Sequence, residues 1–268
     1  MYNIETLQIS SAYPCLIVYL LDQSYSMGEA LDTNNKAQKL ADAINEIIFE
    51  TGLKCYDATG ELKNRFELAV VGYGSQISVV EPAWEGTLQD RWVVPISEVF
   101  PQAVGERDGI PIWIRPKAGQ DTPMTKAFEN AYRICEAWIN WGNHRDCHPP
   151  IVINISDGVP TDDGSYNFSN LRNVAESLKM LSTNYGGTNI FNIHIGNMGG
   201  DSILFPSHLR NMNQFANLLF DLSTPLNPFM VQMAANMGYN VVNGSKGYVY
   251  NGSAKNLLDF LNIGSNPL

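Results

Sequence analysis

Residues 16–28 constrain this chain more than any other stretch. Six consecutive apolar residues, 16–21, run directly into an Asp-x-Ser-x-Ser cluster formed by Asp22, Ser24 and Ser26. An unbroken apolar run of this length predicts a strand that is buried on both faces at the centre of a parallel sheet. In such sheets, ligands bind at the carboxyl ends of the strands. One carboxylate and two hydroxyls at alternate positions favour a hard cation such as Mg²⁺, which prefers oxygen ligands.

The composition excludes several classes of partner. A net charge of −10, with no run of Lys or Arg, argues against nucleic-acid binding, which depends on clustered basic residues. No apolar stretch approaches the roughly 20 residues that span a membrane, and the first residues do not form a signal peptide. The four cysteines are too irregularly spaced for a disulfide framework. We therefore expect a cytoplasmic protein that binds neither nucleic acid nor a membrane.

Strand-like and helix-like segments alternate along most of the chain. Apolar residues at three- and four-residue steps predict helices, and continuous apolar runs predict buried strands. The alternation predicts an α/β fold of the Rossmann-like type, with a doubly wound, mostly parallel central sheet, helices on both faces and one antiparallel edge strand. The predicted strands are 15–21, 66–74, 77–80 (the edge strand), 151–156, 190–195 and 248–250, and the predicted helices are 34–50, 123–138, 170–182, 211–221, 226–237 and 254–261.

The chain is expected to form a single domain over residues 1–268, with its core in 15–262. Residues 82–121 are the least regular part, and their prolines and tryptophans favour short strands and loops over the rim of the sheet. About forty residues could hardly build an independent core. This segment is therefore interpreted as an irregular insertion rather than as a second domain.

Three predicted loops carry side chains suited to one cation. The five residues are Asp22, Ser24 and Ser26 after the first strand, Thr122 before a helix, and Asp157 after a later strand. If those two strands are neighbours, their carboxylates face each other across a crevice at the edge of the sheet. Ser24, Ser26 and Thr122 would then offer oxygens at about 2.1 Å to Mg²⁺, with both carboxylates one water away. Such an ion keeps a free position for a negatively charged oxygen from outside.

These residues resemble the von Willebrand factor A domain family and its metal-ion-dependent adhesion site. The family pattern is Asp-x-Ser-x-Ser, then a Thr on a middle loop, then an Asp before Gly, and it is found here at 22–26, at Thr122 and at Asp157. The resemblance covers about residues 15–262. It implies a Mg²⁺ site, with Mn²⁺ or Ca²⁺ as alternatives, that captures the acidic side chain of a partner protein.

Two positions depart from the usual pattern of that family. Members often have Gly between the two serines, where this chain has Tyr25, and Gly-Gly before the Thr, where it has Gln120-Asp121. The loops could therefore sit differently, and Asp121 adds acidity near the ion. The rim expected to contact the partner comprises Tyr25, Gly28, Asp121 and Gly158.

Among family members, the chain is similar to small intracellular bacterial proteins that act beside a kinase and a phosphatase in stress or tellurite-resistance systems. The resemblance implies a bacterial stress-response or signalling complex. Its partner would be a protein that presents Asp or Glu, with a kinase or phosphatase encoded nearby as the candidate.

Two other functions stay open. A Mg²⁺-dependent phosphatase-like enzyme could use Asp22 as the phosphoryl acceptor. That chemistry needs a second acid two positions on, where Ser24 stands, and a Lys that no predicted strand end provides. Neither a P-loop nor a serine-hydrolase elbow occurs. Alternatively, the metal could be only a structural staple in a scaffold. We predict a non-catalytic binding module.

Each motif also has an ordinary structural interpretation. Asp22, Ser24 or Ser26 could simply cap the helix that follows them, Asp121 or Thr122 could be the N-cap of the next helix, and Asp157 could begin a tight turn. The segment 144–148 invites a zinc interpretation, but its His-x₂-Cys-His spacing does not match common zinc sites. We expect that segment to be a polar loop.

Overall fold

The computed structural model describes residues 7, 9–31, 33–196, 202–252 and 259. Its strands are β1 (Cys15–Asp22), β2 (Ala30–Leu31), β3 (Asn34–Asn35), β4 (Phe66–Tyr73), β5 (Val80–Pro82), β6 (Val94–Pro95), β7 (Gly105–Arg107), β8 (Ile110–Ile112), β9 (Ile151–Ser156), β10 (Ser182–Thr183), β11 (Gly186–Gly187), β12 (Asn189–His194), β13 (Ile203–Leu204) and β14 (Tyr248–Tyr250). Its α-helices are α1 (Lys36–Leu53), α2 (Ile96–Val99), α3 (Met124–Asn140), α4 (Ser169–Met180), α5 (Gln214–Leu222) and α6 (Pro228–Asn236).

Eight of the described strands form one mixed sheet, in the order β13-β14-β12-β9-β1-β4-β5, with β6 also paired to β4. The central strands β14, β12, β9, β1 and β4 are parallel to one another. Pairing is antiparallel at both edges, where β13 joins β14 and where β5 and β6 join β4. The pairs β2–β3, β7–β8 and β10–β11 form small separate sheets.

The prediction of a Rossmann-like, doubly wound and mostly parallel sheet with one antiparallel edge strand is therefore wrong. The sheet is mixed, it has antiparallel strands at both edges, and small two-stranded sheets surround it. The edge strand expected at 77–80 lies at Val80–Pro82. Strands β6 and β13 have two residues each, so they show no periodicity. Such strands are defined by hydrogen bonds to a neighbour rather than by their own sequence.

Strand β1 lies at the middle of the sheet because its residues before Asp22 carry no charge. All eight of its residues are buried. Leu21 is in register with Gly72 of β4 on one side and with Ile155 of β9 on the other. The carboxyl ends of β1 and β9 therefore lie side by side, and the loops that begin at Asp22 and Asp157 meet.

Helices cover both faces of the sheet. Ile17 and Tyr19 of β1 pack in the cluster that includes α1 and α6, whereas Leu16 and Val18 pack in the cluster that includes α3, α4 and α5. The helix after β1 and the helix after β9 therefore leave on opposite faces. This divergence opens a crevice between the two loops.

The segment 82–121 carries more structure than its composition indicated. It contains β6, α2 and the β7–β8 hairpin. Trp84 and Trp113 are buried in the cluster that also includes α1. The single domain stays a prediction, and the helix expected over 254–261 lies outside the described residues, apart from Asp259.

Within the described part of the chain, none of the helices combines the length and the apolar character needed to cross a bilayer.

Candidate functional site

Asp22 is held at the end of β1 by hydrogen bonds to both of its oxygens. The backbone N–H of Ser24 donates to Oδ1 at 2.8 Å, and the hydroxyl of Ser156 donates to Oδ2 at 2.5 Å. The carboxylate is fully buried, and burial raises its pKa to about 6. The two hydrogen bonds oppose this rise, while the nearby charge of Asp157 adds to it. The two hydrogen bonds thus fix the orientation of the carboxylate, while its burial and the negative charge of Asp157 disfavour its ionised form.

Asp157 contacts the loop after β1 directly. The hydroxyl of Ser26 donates to Oδ1 of Asp157 at 2.7 Å, and the hydroxyls of Ser24 and Ser26 lie 3.2 Å apart. The structure therefore brings the Asp-x-Ser-x-Ser cluster and Asp157 together across 131 positions of sequence.

A lysine that the sequence analysis missed completes this cluster. Lys36, the first residue of α1, is 4% exposed, and its Nζ lies 2.6 Å from Oδ2 of Asp157 and 2.8 Å from Oε2 of Glu29. Burial lowers the pKa of Lys36, but the hydrogen bonds to Asp157 and Glu29 outweigh burial and hold it above the ordinary value. Nothing in the sequence singles this residue out, because a Lys in the first turn of an amphipathic helix is typical of a solvated face.

Thr122 and Gly158 lie close together where the loops meet. A Cβ atom at Gly158 would lie 3.3 Å from Oγ1 of Thr122, 3.5 Å from Oγ of Ser26 and 3.7 Å from Oδ2 of Asp22. Three oxygens from two of the predicted loops therefore lie within 3.7 Å of the position that a Cβ atom on the third loop would take. The absence of a side chain at Gly158 keeps that point free.

The loop after β9 fixes the position of Thr122. The backbone N–H of Thr122 donates to the hydroxyl of Thr161 at 2.9 Å, and the N–H of Thr161 donates to the carbonyl of Thr122 at 3.0 Å. Asp162 accepts from the N–H groups of Thr125 and Lys126 at the start of α3. Neither Asp121 nor Thr122 is the N-cap of α3, which is Pro123. A carboxylate from another loop satisfies this helix end, a pairing that sequence spacing does not reveal.

The predicted rim residues differ in their surroundings. Tyr25 is 78% exposed, and Gly28 lies against Ala118. The carboxylate of Asp121 accepts two hydrogen bonds, of 2.9 and 3.0 Å, from the N–H of Ser78. Asp121 therefore secures the turn before β5.

Large apolar side chains are exposed on the loops that surround this crevice. They follow β1, β4 and β9, and they are Tyr25, Ile77, Val159 and Tyr166. Asp163, which accepts from the N–H groups of Ser165 and Leu171, orders the loop that carries Tyr166. The sequence analysis did not single out Ile77, Val159 or Tyr166.

The histidines of 144–148 do not form a metal centre. His148 is buried, with Nδ1 3.0 Å from the carbonyl of Pro149 and 3.8 Å from Sγ of Cys15. His144 stacks on Trp138, with the ring centroids 4.1 Å apart. In the described part of the chain, no three His, Cys, Asp or Glu side chains cluster so that they could hold a metal ion.

The donor set of the candidate site nevertheless fits one small hard cation. Its oxygens come from the carboxylate of Asp22 and from the hydroxyls of Ser24, Ser26 and Thr122, and the space beside Gly158 is bordered by three of them. Mg²⁺ takes such oxygens and keeps several waters, so it does not require a cluster of three carboxylates. The chemistry of the donors is compatible with Mg²⁺, Mn²⁺ or Ca²⁺.

Comparisons with known proteins give no family. No protein-family model matches the chain, and no curated protein matches it. Among solved structures, it is similar to proximal thread matrix protein 1 from the mussel byssus, with a TM-score of 0.50 and 15% identity over 93% of this chain and 46% of that chain. It is also similar to the pilus adhesin SpaC from Lactobacillus rhamnosus GG, with a TM-score of 0.53 and 13% identity over 95% of this chain and 31% of that chain.

A minor pilin, PilB from Streptococcus sanguinis, matches over 94% of this chain and 60% of that chain, but its TM-score of 0.42 and 10% identity carry no argument. This chain spans less than half the length of the first two proteins. At such low identity, the likeness concerns the fold alone.

These comparisons overturn the resemblance to the von Willebrand factor A family. The two similar structures are described as a thread matrix protein and a pilus adhesin, and no family model supports an adhesion site of that family. The matching motif comprises only a few residues, which is too short to establish a family by itself. The geometry of the five residues stands independently of that interpretation.

Proposed function

We propose that this protein is a non-catalytic binding module that uses a divalent cation to capture an acidic side chain of a partner protein. The observation that carries the proposal is the convergence of Thr122, Ser26 and Asp22 on the space beside Gly158. Asp22, Ser24, Ser26 and Thr122 would hold the ion, with Mg²⁺ first and Mn²⁺ or Ca²⁺ as alternatives. The bound ion would supply a positive centre for a carboxylate.

The second carboxylate, Asp157, would act without touching the ion. Its Oδ1 accepts from Ser26 and its Oδ2 accepts from Lys36, so the charge of Asp157 is already paired with a cation, whereas the hydrogen-bond donors to Asp22 are neutral. Asp157 thus orients the hydroxyl of Ser26. Because most donors are neutral hydroxyls, the ion would retain affinity for an anionic ligand.

The exposed apolar residues around the crevice support a protein partner. Tyr25 and Tyr166 are large aromatic residues on its rim, and such residues are enriched at the centres of protein interfaces. The likeness in fold to a pilus adhesin is compatible with an adhesive role.

The burial of Asp22 disfavours the phosphatase-like alternative. A nucleophile must reach the phosphorus atom, yet this carboxylate is fully buried and hydrogen-bonded at both oxygens. Lys36 does bring to the site the cation that this alternative requires, but it pairs with Asp157. Turnover of p-nitrophenyl phosphate in the presence of Mg²⁺ would favour the enzyme instead.

We propose the cytoplasm as the compartment. All four cysteines are free and buried, and burial raises the pKa of Cys55 and of Cys147 to about 11. Disulfides are rare where thiols are kept reduced, so unpaired cysteines support this proposal. A bacterial stress-response complex with a kinase or phosphatase encoded nearby stays a prediction, because none of these observations tests it.

The hydroxyl of Thr122 provides the test. Thr122→Val keeps the shape of the side chain and removes one oxygen from the crevice. Thr125→Val is the matched control, because Oγ1 of Thr125 is buried without a hydrogen-bond partner among the described residues. We expect Mg²⁺ to raise the melting temperature of the wild type and of Thr125→Val, and to raise it much less for Thr122→Val. A wild type that is indifferent to Mg²⁺, Mn²⁺ and Ca²⁺ would contradict the proposal.

A further inference from the structure

Lys36 is a buried cation inside the candidate site. Fully buried lysines are rare unless they are paired, and Lys36 has two carboxylate partners. The partners are unequal: the side chain of Asp157 is 1% exposed, whereas that of Glu29 is 58% exposed. Solvent screens the charge of Glu29, so the buried pair between Lys36 and Asp157 dominates the electrostatics.

The buried charges give the site a simple balance. Asp22 and Asp157 each contribute −1 and Lys36 contributes +1, so the buried groups sum to −1, and the serine and threonine hydroxyls are neutral. With a divalent cation, the sum becomes +1. Without Lys36, the same loaded site would sum to zero and would have little net attraction for an anion.

We propose that Lys36 determines the specificity of the site by keeping it positive when a cation is bound. The inference depends on the proposed function and extends it. Lys36 weakens the binding of the cation, because the two positive charges repel each other. In return, it strengthens the binding of the partner's carboxylate. Lys36 therefore lowers the affinity of the site for the ion and raises the affinity of the loaded site for the anionic ligand.

The geometry supports an effect through charge rather than contact with the ligand. Nζ of Lys36 lies 2.6 Å from Oδ2 of Asp157, whereas the hydroxyl of Ser26 donates to Oδ1, the other oxygen of the same carboxylate. Lys36 starts α1 beneath the loops and is almost wholly buried, so a partner cannot reach it. Lys36 is a positioning and charge-setting residue.

The test measures the two affinities separately. Mn²⁺ binding is followed by its paramagnetic effect on water-proton relaxation, and acetate is then titrated as a carboxylate probe that displaces bound water. For Lys36→Met, we expect the dissociation constant of Mn²⁺ to fall about tenfold and that of acetate to rise about tenfold, as the removal of one nearby charge implies. Lys179→Met is the control. It removes the same charge, in an ion pair with Glu176 on α4, and should change neither constant.

Glu29→Gln provides the reciprocal variant. It removes an exposed anion from Lys36, so we expect shifts of about two- to threefold in the opposite directions, with weaker Mn²⁺ and tighter acetate. Because Glu29 is largely exposed, this variant should fold even if Lys36→Met does not.

The outcomes separate the two proposals. If the wild type binds Mn²⁺ and acetate but both variants leave the constants unchanged, or move them in the same direction, the role of Lys36 is overturned and the proposed function stands. If the wild type binds no Mn²⁺, both are overturned.

Discussion

The hydroxyl of Ser156 donates a hydrogen bond of 2.5 Å to Oδ2 of Asp22, a residue 134 positions earlier in the chain. The contact joins the carboxyl ends of β1 and β9, and it is completely buried. Ser156 also accepts from the N–H of Gly158 at 3.1 Å. One hydroxyl therefore sets both the orientation of the carboxylate and the start of the loop that borders the crevice. Groups of the protein itself therefore hold Asp22 in place.

Asp22→Asn should separate stability from binding. A buried neutral amide avoids the desolvation cost of a buried carboxylate, so we expect the variant in EDTA to gain about 1 kcal/mol in free energy of unfolding. The stabilisation by Mg²⁺ should be lost. Urea unfolding with EDTA and with Mg²⁺ measures both effects, and the exposed Asp90→Asn is the control. If the variant loses stability yet, once folded, captures the partner as well as the wild type does, the metal site is only structural.

The sequence predicted the central strands and the meeting of their loops for a clear physical reason. A strand buried on both faces is largely apolar, so β1, β4 and β9 appear as apolar runs, interrupted only by Glu67 in β4 and by Asn154 in β9 before their final residues. Where such a run ends, the next polar residues lie at the edge of the sheet. This reasoning placed Asp22 and Asp157 side by side only if their two strands are neighbours, and the parallel pairing of β1 with β9 meets that condition.

The features that the sequence did not predict depend on contacts between residues that are far apart in the chain. Lys36 becomes part of the site only because α1 starts beside the loop after β9, and no periodicity indicates this. Asp162 caps a helix that begins 38 positions earlier, since Met124 starts α3. The short antiparallel strands at both edges arise from pairing with β4 and β14. Sequence patterns report burial well, but they do not report which surfaces meet.

Gly158→Ala should obstruct the cation without disturbing the fold. Its added methyl group would lie 3.3 Å from Oγ1 of Thr122, in the space that the three oxygens surround, and its backbone does not have a positive φ. We expect a change in unfolding free energy within about 0.5 kcal/mol and at least a tenfold loss in affinity for Mg²⁺. Calorimetric titration with MgCl₂ measures the affinity.

Gly164→Ala, in the same loop, is the matched control for this substitution. A Cβ atom there meets nothing within 4 Å. We expect its affinity for Mg²⁺ to equal that of the wild type. Equal affinity in Gly158→Ala as well would place the ion elsewhere.

Two buried histidines should make the protein less stable in mild acid. Burial lowers the pKa of His148 and of His194 from 6.5 to about 4, and the charge of Lys36 adds to the effect at His194. The folded state therefore favours the neutral rings. The contribution of each histidine to the free energy of unfolding is complete above pH 6.5 and is lost as the pH falls towards 4. Over that whole range the loss amounts to a few kcal/mol per residue.

Urea unfolding between pH 7 and pH 5 measures this dependence. His148→Gln removes one titrating ring, so the loss of stability over that range should be clearly smaller than in the wild type. His208→Gln, at an exposed position, should leave the loss unchanged. An identical pH dependence in all three proteins would mean that His148 titrates equally in the folded and unfolded states.

Tyr166→Ser should weaken capture of the partner while leaving the cation site intact. The side chain is 95% exposed on the loop after β9, so its removal should change the unfolding free energy by less than about 0.5 kcal/mol. Aromatic anchors at protein interfaces are often worth more than 1 kcal/mol, which predicts a loss of roughly tenfold or more in affinity.

Trp141→Ser is the control, because Trp141 is 85% exposed but follows the far end of the 17-residue helix α3, about 25 Å from the crevice. The measurement is the amount of protein captured from a bacterial extract in Mg²⁺ and released by EDTA. Equal losses in both variants would indicate nonspecific hydrophobic adhesion, and no loss in Tyr166→Ser would remove this loop from the binding surface.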